Sequence, residues 1–412
     1  MTNRDKRPYI PPVKKISLSE SNPKLRVVAI VVCLLIAGAA LTIGLTTLLN
    51  RDSGWQVVES TSSERNLSGE FILRYDFSRS GAEAPADRRA LSQLYTQVME
   101  HAYAVFSTAE PGSGSLADVN AAPNEAVTVD PVLYKALETV QRTGSRYLYL
   151  APAYVEYHRV FRAETPEIAA QYDPATDAEL ADYLRQIASF ASDPAHVNVE
   201  LLGDDRVCLR VSDAYLAFAE TNEIDGFLDF GWTRNAFVAD YAAEQMLAQG
   251  YTAGYITSFD GFTRNLDDGG SYSINVFSRL ANAVNLPAVL EYNGPMSLVV
   301  LKDYGMSELD SRHYCAMPDS SIVTAMVDPA DGRSKSAVHD LLCCSRELGC
   351  AEILLQAAPC YVADAWNADA LQALAADGID AVWSEDTVLY RTDAELRLVP
   401  NQDCAVSYTI AP

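Results

Sequence analysis

The segment Asp229–Arg264, DFGWTRNAFVADYAAEQMLAQGYTAGYITSFDGFTR, constrains the fold of this chain more than any other stretch. Asp229-Phe230-Gly231 closes an extended run, and the spacing that follows predicts a helix from Ala236 to Gln249. Ala236, Ala239, Ala243, Met246 and Leu247 recur at i, i+3, i+7, i+10 and i+11, which gathers them on one face, and Gly250 supplies a left-handed stop. Ala253–Ser258 reads as a second strand. A strand, turn, helix, turn and strand of this size presents a helix N-terminus, whose unpaired backbone N–H groups attract anions.

The order and spacing of this unit are similar to those of the FAD:protein FMN transferase (ApbE) family. That family's pattern reads D-[LF]-G-G-x-A-K-G-x-x-x-D, followed by a helix ending in glycine and a strand leading into G-G-D. Asp229, Phe230, Gly231, Asp240, Gly250 and Asp260 match it. Trp232 replaces the second glycine, Arg234 the alanine, Asn235 the lysine, Ala236 the next glycine, and Ser258-Phe259 the later glycine pair. Weaker echoes extend the resemblance over about residues 68–392. Leu116–Asn120 agrees with a family motif through its asparagine, and Asp328-Pro329-Ala330-Asp331-Gly332-Arg333 resembles D-P-x-T-G-x with Asp331 for the threonine. Val300–Tyr304 keeps only the tyrosine of T-S-G-x-Y, and Ala363–Ala368 keeps the aspartate of A-D-A-x-x-T but not the threonine. The resemblance implies an α+β fold of mixed sheets with packed helices, preceded here by one N-terminal transmembrane helix.

That helix is read from charge. Residues 1–26 carry seven Lys/Arg against Asp5 and Glu20, a net of +5, so residues 27–412 hold −29 of a total of −24. Val27–Leu49 is 23 residues without a charge, long enough to cross a hydrocarbon core of roughly 30 Å. Lys and Arg stay on the cytoplasmic side, so the basic tail places everything after Arg51 outside. The rival is a cleaved signal peptide, but the apolar run exceeds the usual core length and no small-x-small site follows it. The expected organisation is a cytoplasmic tail (1–26), a span (27–49), a polar stalk (50–67) and an extracytoplasmic domain (68–412). Its acidity argues against nucleic acid as a partner. Seven cysteines lie beyond the span, an odd count, and some pairing is plausible for an exported domain.

Along the domain the pattern predicts a strand over Ser68–Phe77 and an amphipathic helix over Arg88–Phe106. A helix opening at Asp130-Pro131 and a long helix over Thr165–Phe190 come next, then paired strands around Gly203-Asp204-Asp205. Further on it predicts strands at Tyr272–Phe277, Met296–Leu301, Ile353–Gln356, Gly378–Val382 and Val388–Tyr390, and a helix over Tyr361–Ala375.

By resemblance the activity is transfer of FMN from FAD to a threonine or serine of an exported protein, with magnesium on the diphosphate. Gly231, Trp232, Asn235, Ser258, Phe259 and Tyr304 occupy the cofactor-binding positions and Asp364 the metal position, while Asp369, next to Ala368 where the family has its second metal ligand, is a further carboxylate about 100° round the helix. Asp260 and Arg234 are the remaining catalytic candidates. The chemistry needs main chain close to phosphate, which glycine permits. Trp232 and Phe259 instead add aromatic bodies that bury about 150–250 Å² each and would fill that space. Exchanging lysine for Asn235 removes a charge worth about 4 kcal/mol against phosphate at contact distance. Arg234 either compensates or is engaged in a salt bridge. Asp364 is either a metal ligand or a charge that favours a helix N-terminus. Three readings follow: a catalytically degenerate binding or scaffold member that serves an exported flavoprotein or a membrane redox complex, a divergent magnesium-dependent transferase, and a non-covalent flavin binder.

Overall fold

The computed structural model describes residues 54–112, 114–267, 269–306 and 312–411. The basic tail and the apolar run Val27–Leu49, and with them the expected anchor, lie outside the described residues. Among the described residues no helix is long and apolar enough to cross a membrane.

A nine-stranded sheet carries the described fold. Its spatial order is Trp55–Val58, Phe71–Asp76, Gly254–Ser258, Phe262–Asn265, Met296–Lys302, Asp340–Ser345, Asp380–Glu385, Val388–Arg391 and Thr409–Ile410. Neighbours are antiparallel except the last pair, which is parallel, so the sheet is mixed. Successive side chains of a strand turn to opposite faces. Leu73, Ile256, Phe262, Val299, Leu341, Cys343 and Ala381 face the principal core, formed with the helices Ala84–Phe106, Arg234–Ala248 and Cys350–Tyr361. One residue out of phase, Leu298, Leu342, Cys344 and Val382 face a three-stranded sheet of Ser271–Leu280, Ala283–Asn293 and Arg397–Pro400, which contributes Val276, Ala288, Leu290 and Leu398. Burial on both faces explains why LVVL (298–301) and LLCC (341–344) are continuous apolar runs rather than alternating ones.

A second layer is built from the helices Pro131–Thr143, Ala151–Arg162 and Ala178–Ser192 with a small sheet of Ala126–Thr128, Arg206–Val211 and Val197–Gly203. Asp130 caps the first of these as expected, accepting a hydrogen bond from the Val132 amide at 2.8 Å.

Several boundaries differ from the sequence reading. The 50–67 stretch, expected as a stalk, supplies the edge strand Trp55–Val58 and the buried Leu67. Its Ser- and Thr-rich composition masked four residues of strand. Thr165–Phe190 is broken rather than continuous: Pro166–Ala169 stops short of Pro174, and Ala178–Ser192 starts afresh at the Asp177 cap. Ile353–Gln356 is helix, part of Cys350–Tyr361, and the next helix is Ala368–Ala376 rather than Tyr361–Ala375. A short apolar run does not separate strand from buried helix by periodicity. No strand precedes Gly231; the segment enters the turn as irregular chain. The seven cysteines beyond Val27–Leu49 are all free thiols, with Cys343 and Cys344 pointing into opposite cores.

Candidate functional site

The turn into the Arg234–Ala248 helix is fixed by its own residues. Asp229 Oδ1 accepts the Gly231 amide at 2.8 Å. Gly231 sits at φ +52°, and a Cβ there would lie 2.5 Å from the Tyr154 ring. The bare face of this glycine is therefore occupied by the protein's own tyrosine, which is anchored through its hydroxyl to the Tyr147 carbonyl at 2.8 Å. Trp232 follows, only 6 % exposed, with its ring edge-on to Tyr147 at 5.3 Å. Further along the helix, Asp240 accepts from the Cys350 amide (2.8 Å), the Ala351 amide (2.9 Å) and Arg264 Nη1 (2.9 Å). The aspartate that matches the family pattern thus tethers one helix to the start of another.

Asn235 and Arg234 meet carboxylates. Glu70 Oε2 accepts from Arg234 Nη2 at 2.6 Å and from Asn235 Nδ2 at 2.9 Å, and Asn235 Nδ2 also donates to Asp260 Oδ2 at 2.9 Å. Arg312 lies 3.6 Å from the other oxygen of Glu70. Burial pushes the Glu70 carboxyl up, but Arg234, Asn235 and Arg312 outweigh it and hold the group below the usual range. Asp260 goes the other way: burial raises it, against the nearby His313, and its Oδ1 is buried without a hydrogen-bond donor. Two carboxyls bridged by one amide are pushed apart, one toward the charged form and one toward the protonated form.

This cluster borders a cleft of 650 Å³ between the turn and the second layer. Its walls carry Tyr103, Tyr154, Tyr157 and Trp232, with Arg162, Arg234, Arg312, His158 and His313 among them and Glu70 and Asp229 opposing. Burial pushes the His158 imidazole toward its neutral form and Asp229 toward its protonated form. A half-apolar cleft of this volume with several arginines suits an aromatic ligand that carries negative charge. Glu70, Arg162 and Arg312 carry no signal in the sequence, and His158 and His313 read there only as surface or core histidines. They come from three separate segments, and no short motif links them.

The second expected glycine site is a tight turn. Ser258 is buried, and its Oγ accepts the Phe262 amide at 2.9 Å. Gly261, at φ +108°, places its bare Cα against the Val300 carbonyl, 2.3 Å from where a Cβ would be. Phe259, expected to fill a pocket, is instead 38 % exposed and lines a second cleft of 720 Å³. Tyr304 is buried and donates its hydroxyl to Asp340. Beside it Asp303 accepts from His339 Nδ1 (2.8 Å), Ser336 Oγ (2.9 Å) and Arg279 Nη1 (3.4 Å). The bond to Asp303 raises the His339 imidazole above its ordinary value despite partial burial and the Arg279 charge. A histidine whose folded pKa is raised adds stability that is fully present below its unfolded value near 6.5 and fades as pH rises through the folded value. His339→Gln is therefore expected to cost more stability at pH 5.5 than at pH 8 in paired urea melts, and equal losses at the two pH values would refute the assignment.

The expected metal position holds a lysine. Lys335 Nζ lies 2.9 Å from Asp328, 2.8 Å from Asp331 and 3.0 Å from Asp364, with its side chain only 8 % exposed. Asp364 precedes the Ala368–Ala376 helix instead of lying within it, so the expected one-turn spacing to position 368 does not exist. Asp369, in the first turn of that helix, is exposed. The residues present do not fit magnesium at Asp364, because the Lys335 ammonium already occupies the point on which that carboxylate converges. Nor do they fit a diphosphate lying on the Gly231 turn, since Tyr154 covers that main chain.

No family model matches the sequence, and no curated protein matches it. Among solved structures, the ApbE protein of Thermotoga maritima superposes with a TM-score of 0.54 at 12% identity, covering 84% of this chain and 97% of that one. A histidine-to-glycine variant of the flavin transferase ApbE from Vibrio cholerae gives 0.50 at 12% identity, covering 85% and 98%. The chain therefore has the α+β fold of the ApbE flavin transferases, as the Asp229–Arg264 pattern led us to expect.

Proposed function

We propose that this protein is a catalytically degenerate member of the flavin transferase fold, a binding or scaffold module that the Val27–Leu49 run anchors in a membrane with its folded domain outward. The state of position 235 carries this reading. A neutral amide there is committed to Glu70 and Asp260, and the adjacent Arg234 is committed to Glu70. Neither side chain is left to meet a developing phosphate charge, the kind of interaction that dominates phosphoryl chemistry. The basic tail followed by 23 uncharged residues supports the anchor. An exported flavoprotein, an active transferase or a membrane redox complex is the class of partner that such a position offers.

Full-length protein incubated with FAD, magnesium and a threonine-containing acceptor peptide is expected to leave the peptide mass unchanged. Covalent FMN on the peptide, seen by mass spectrometry, would overturn the degenerate reading and restore a working transferase. The arginine-lined cleft favours a second reading, non-covalent flavin binding, in which the aromatic walls meet the ring and the guanidinium groups meet the phosphate. Of the cleft arginines Arg162 is the one not paired with Glu70, so it is the guanidinium this reading relies on, and calorimetric titration of FAD, with and without magnesium, separates a flavin binder from a purely structural module.

A further inference from the structure

We infer that Lys335 is a tethered counter-cation that replaces a divalent metal, so that this fold and its cleft work without one. The geometry is specific. Asp328 and Asp331 each fix one oxygen, Oδ1, on a backbone amide two residues later, those of Ala330 (2.8 Å) and Arg333 (3.0 Å). Each aims the other oxygen, Oδ2, at the same ammonium, and Asp364 adds a third from a distant loop. The loop is braced from the cleft side: the Tyr157 hydroxyl donates to the Gly332 carbonyl at 3.1 Å and accepts the Ser334 amide at 2.9 Å. Three carboxylates thus converge on one nitrogen at hydrogen-bond distance, two of them, Asp328 and Asp331, held by backbone amides that do not depend on the lysine, and the third, the exposed Asp364, drawn in by it. Burial by itself would favour the neutral amine, but the three bonds hold it charged. A lysine delivers one charge with no exchange, no entry path and no dependence on ion concentration. Any anion taken into the neighbouring cleft is then met by protein charges alone.

The inference concerns ion chemistry and stands whether the cleft binds flavin or nothing. Removing the ammonium leaves two preset carboxylates and the exposed Asp364, which a hard cation can draw together, at metal–oxygen distances of about 2.3–2.6 Å for calcium. Lys335→Ala in the full chain is expected to lower Tm by about 5 °C in metal-free buffer. Calcium chloride should restore it, and Tm should climb with the logarithm of ion concentration as mass action requires. Wild type and Lys335→Arg, which keep a cation, should respond to neither calcium, magnesium nor a chelator. A wild-type protein that binds magnesium with heat abolished by Asp364→Asn would overturn the inference. So would a Lys335→Ala protein that is as stable as wild type, or one whose loss no divalent ion repairs.

Discussion

Asp240→Ala is expected to destabilise the protein by about 3–5 kcal/mol, the range for breaking a buried ion pair from one side. The carboxylate joins three elements that are far apart in sequence. It receives Arg264 from the Phe262–Asn265 strand and the first two amides of the Cys350–Tyr361 helix, whose N-cap, Gly349, offers no side chain of its own. Alanine would leave the Arg264 guanidinium, only 20 % exposed, without its counter-charge and two helix-start amides without an acceptor. Asp240→Asn keeps an acceptor oxygen and should lose less. Urea melts measure both, with the midpoint moving while the m-value stays constant. A loss below about 1 kcal/mol for the alanine variant, the scale of an exposed pair, would mean that these contacts are dispensable.

The behaviour of Asp240 also shows what was legible in the sequence. The six residues that matched the family pattern include those that shape the fold: Asp229 closes the turn on the Gly231 amide, Gly231 admits Tyr154, and Asp240 ties two helices. Such positions tolerate few side chains, because each meets backbone or a packed ring at close range. The periodic signals worked for the same reason. The Arg234–Ala248 helix buries Ala236, Ala239, Ala243 and Met246, and Gly250 ends it at φ +81°, but Leu247, expected on the same face, is 41 % exposed at the last turn.

What was not legible depends on long-range contact. Nothing local to Glu70 announces that it will receive Arg234 and Asn235, 164 and 165 residues later. Lys335 was passed over because an isolated lysine reads as surface, although Asp328, Asp331 and Lys335 alternate in one short loop. Asp364 was placed on a helix because the apolar run before it was taken for a strand, which shifted the following helix forward. Phe259 and Trp232 were expected to behave alike, yet one is exposed and the other buried. Trp232 packs against Tyr147 from a distant helix turn, whereas Phe259 sits at a hairpin turn, and composition carries no trace of either setting.

Trp232→Ala tests the degenerate reading most directly. The indole is buried against Tyr147, and its truncation is expected to cost about 3–5 kcal/mol, the range for a large aromatic in a core. The lower end is the better expectation here. The space vacated opens onto the 650 Å³ cleft, so water fills it and no sealed void remains. The second consequence is functional. If the indole occupies room that a nucleotide would need, the alanine variant should bind FAD more tightly than wild type in a fluorescence-quenching titration, even as its Tm falls. Lower stability with unchanged affinity would make Trp232 a core residue and nothing more. Tight binding by wild type that the substitution weakens would make the indole part of a working site. The two readouts move in opposite directions only when the side chain both supports the core and blocks the cleft.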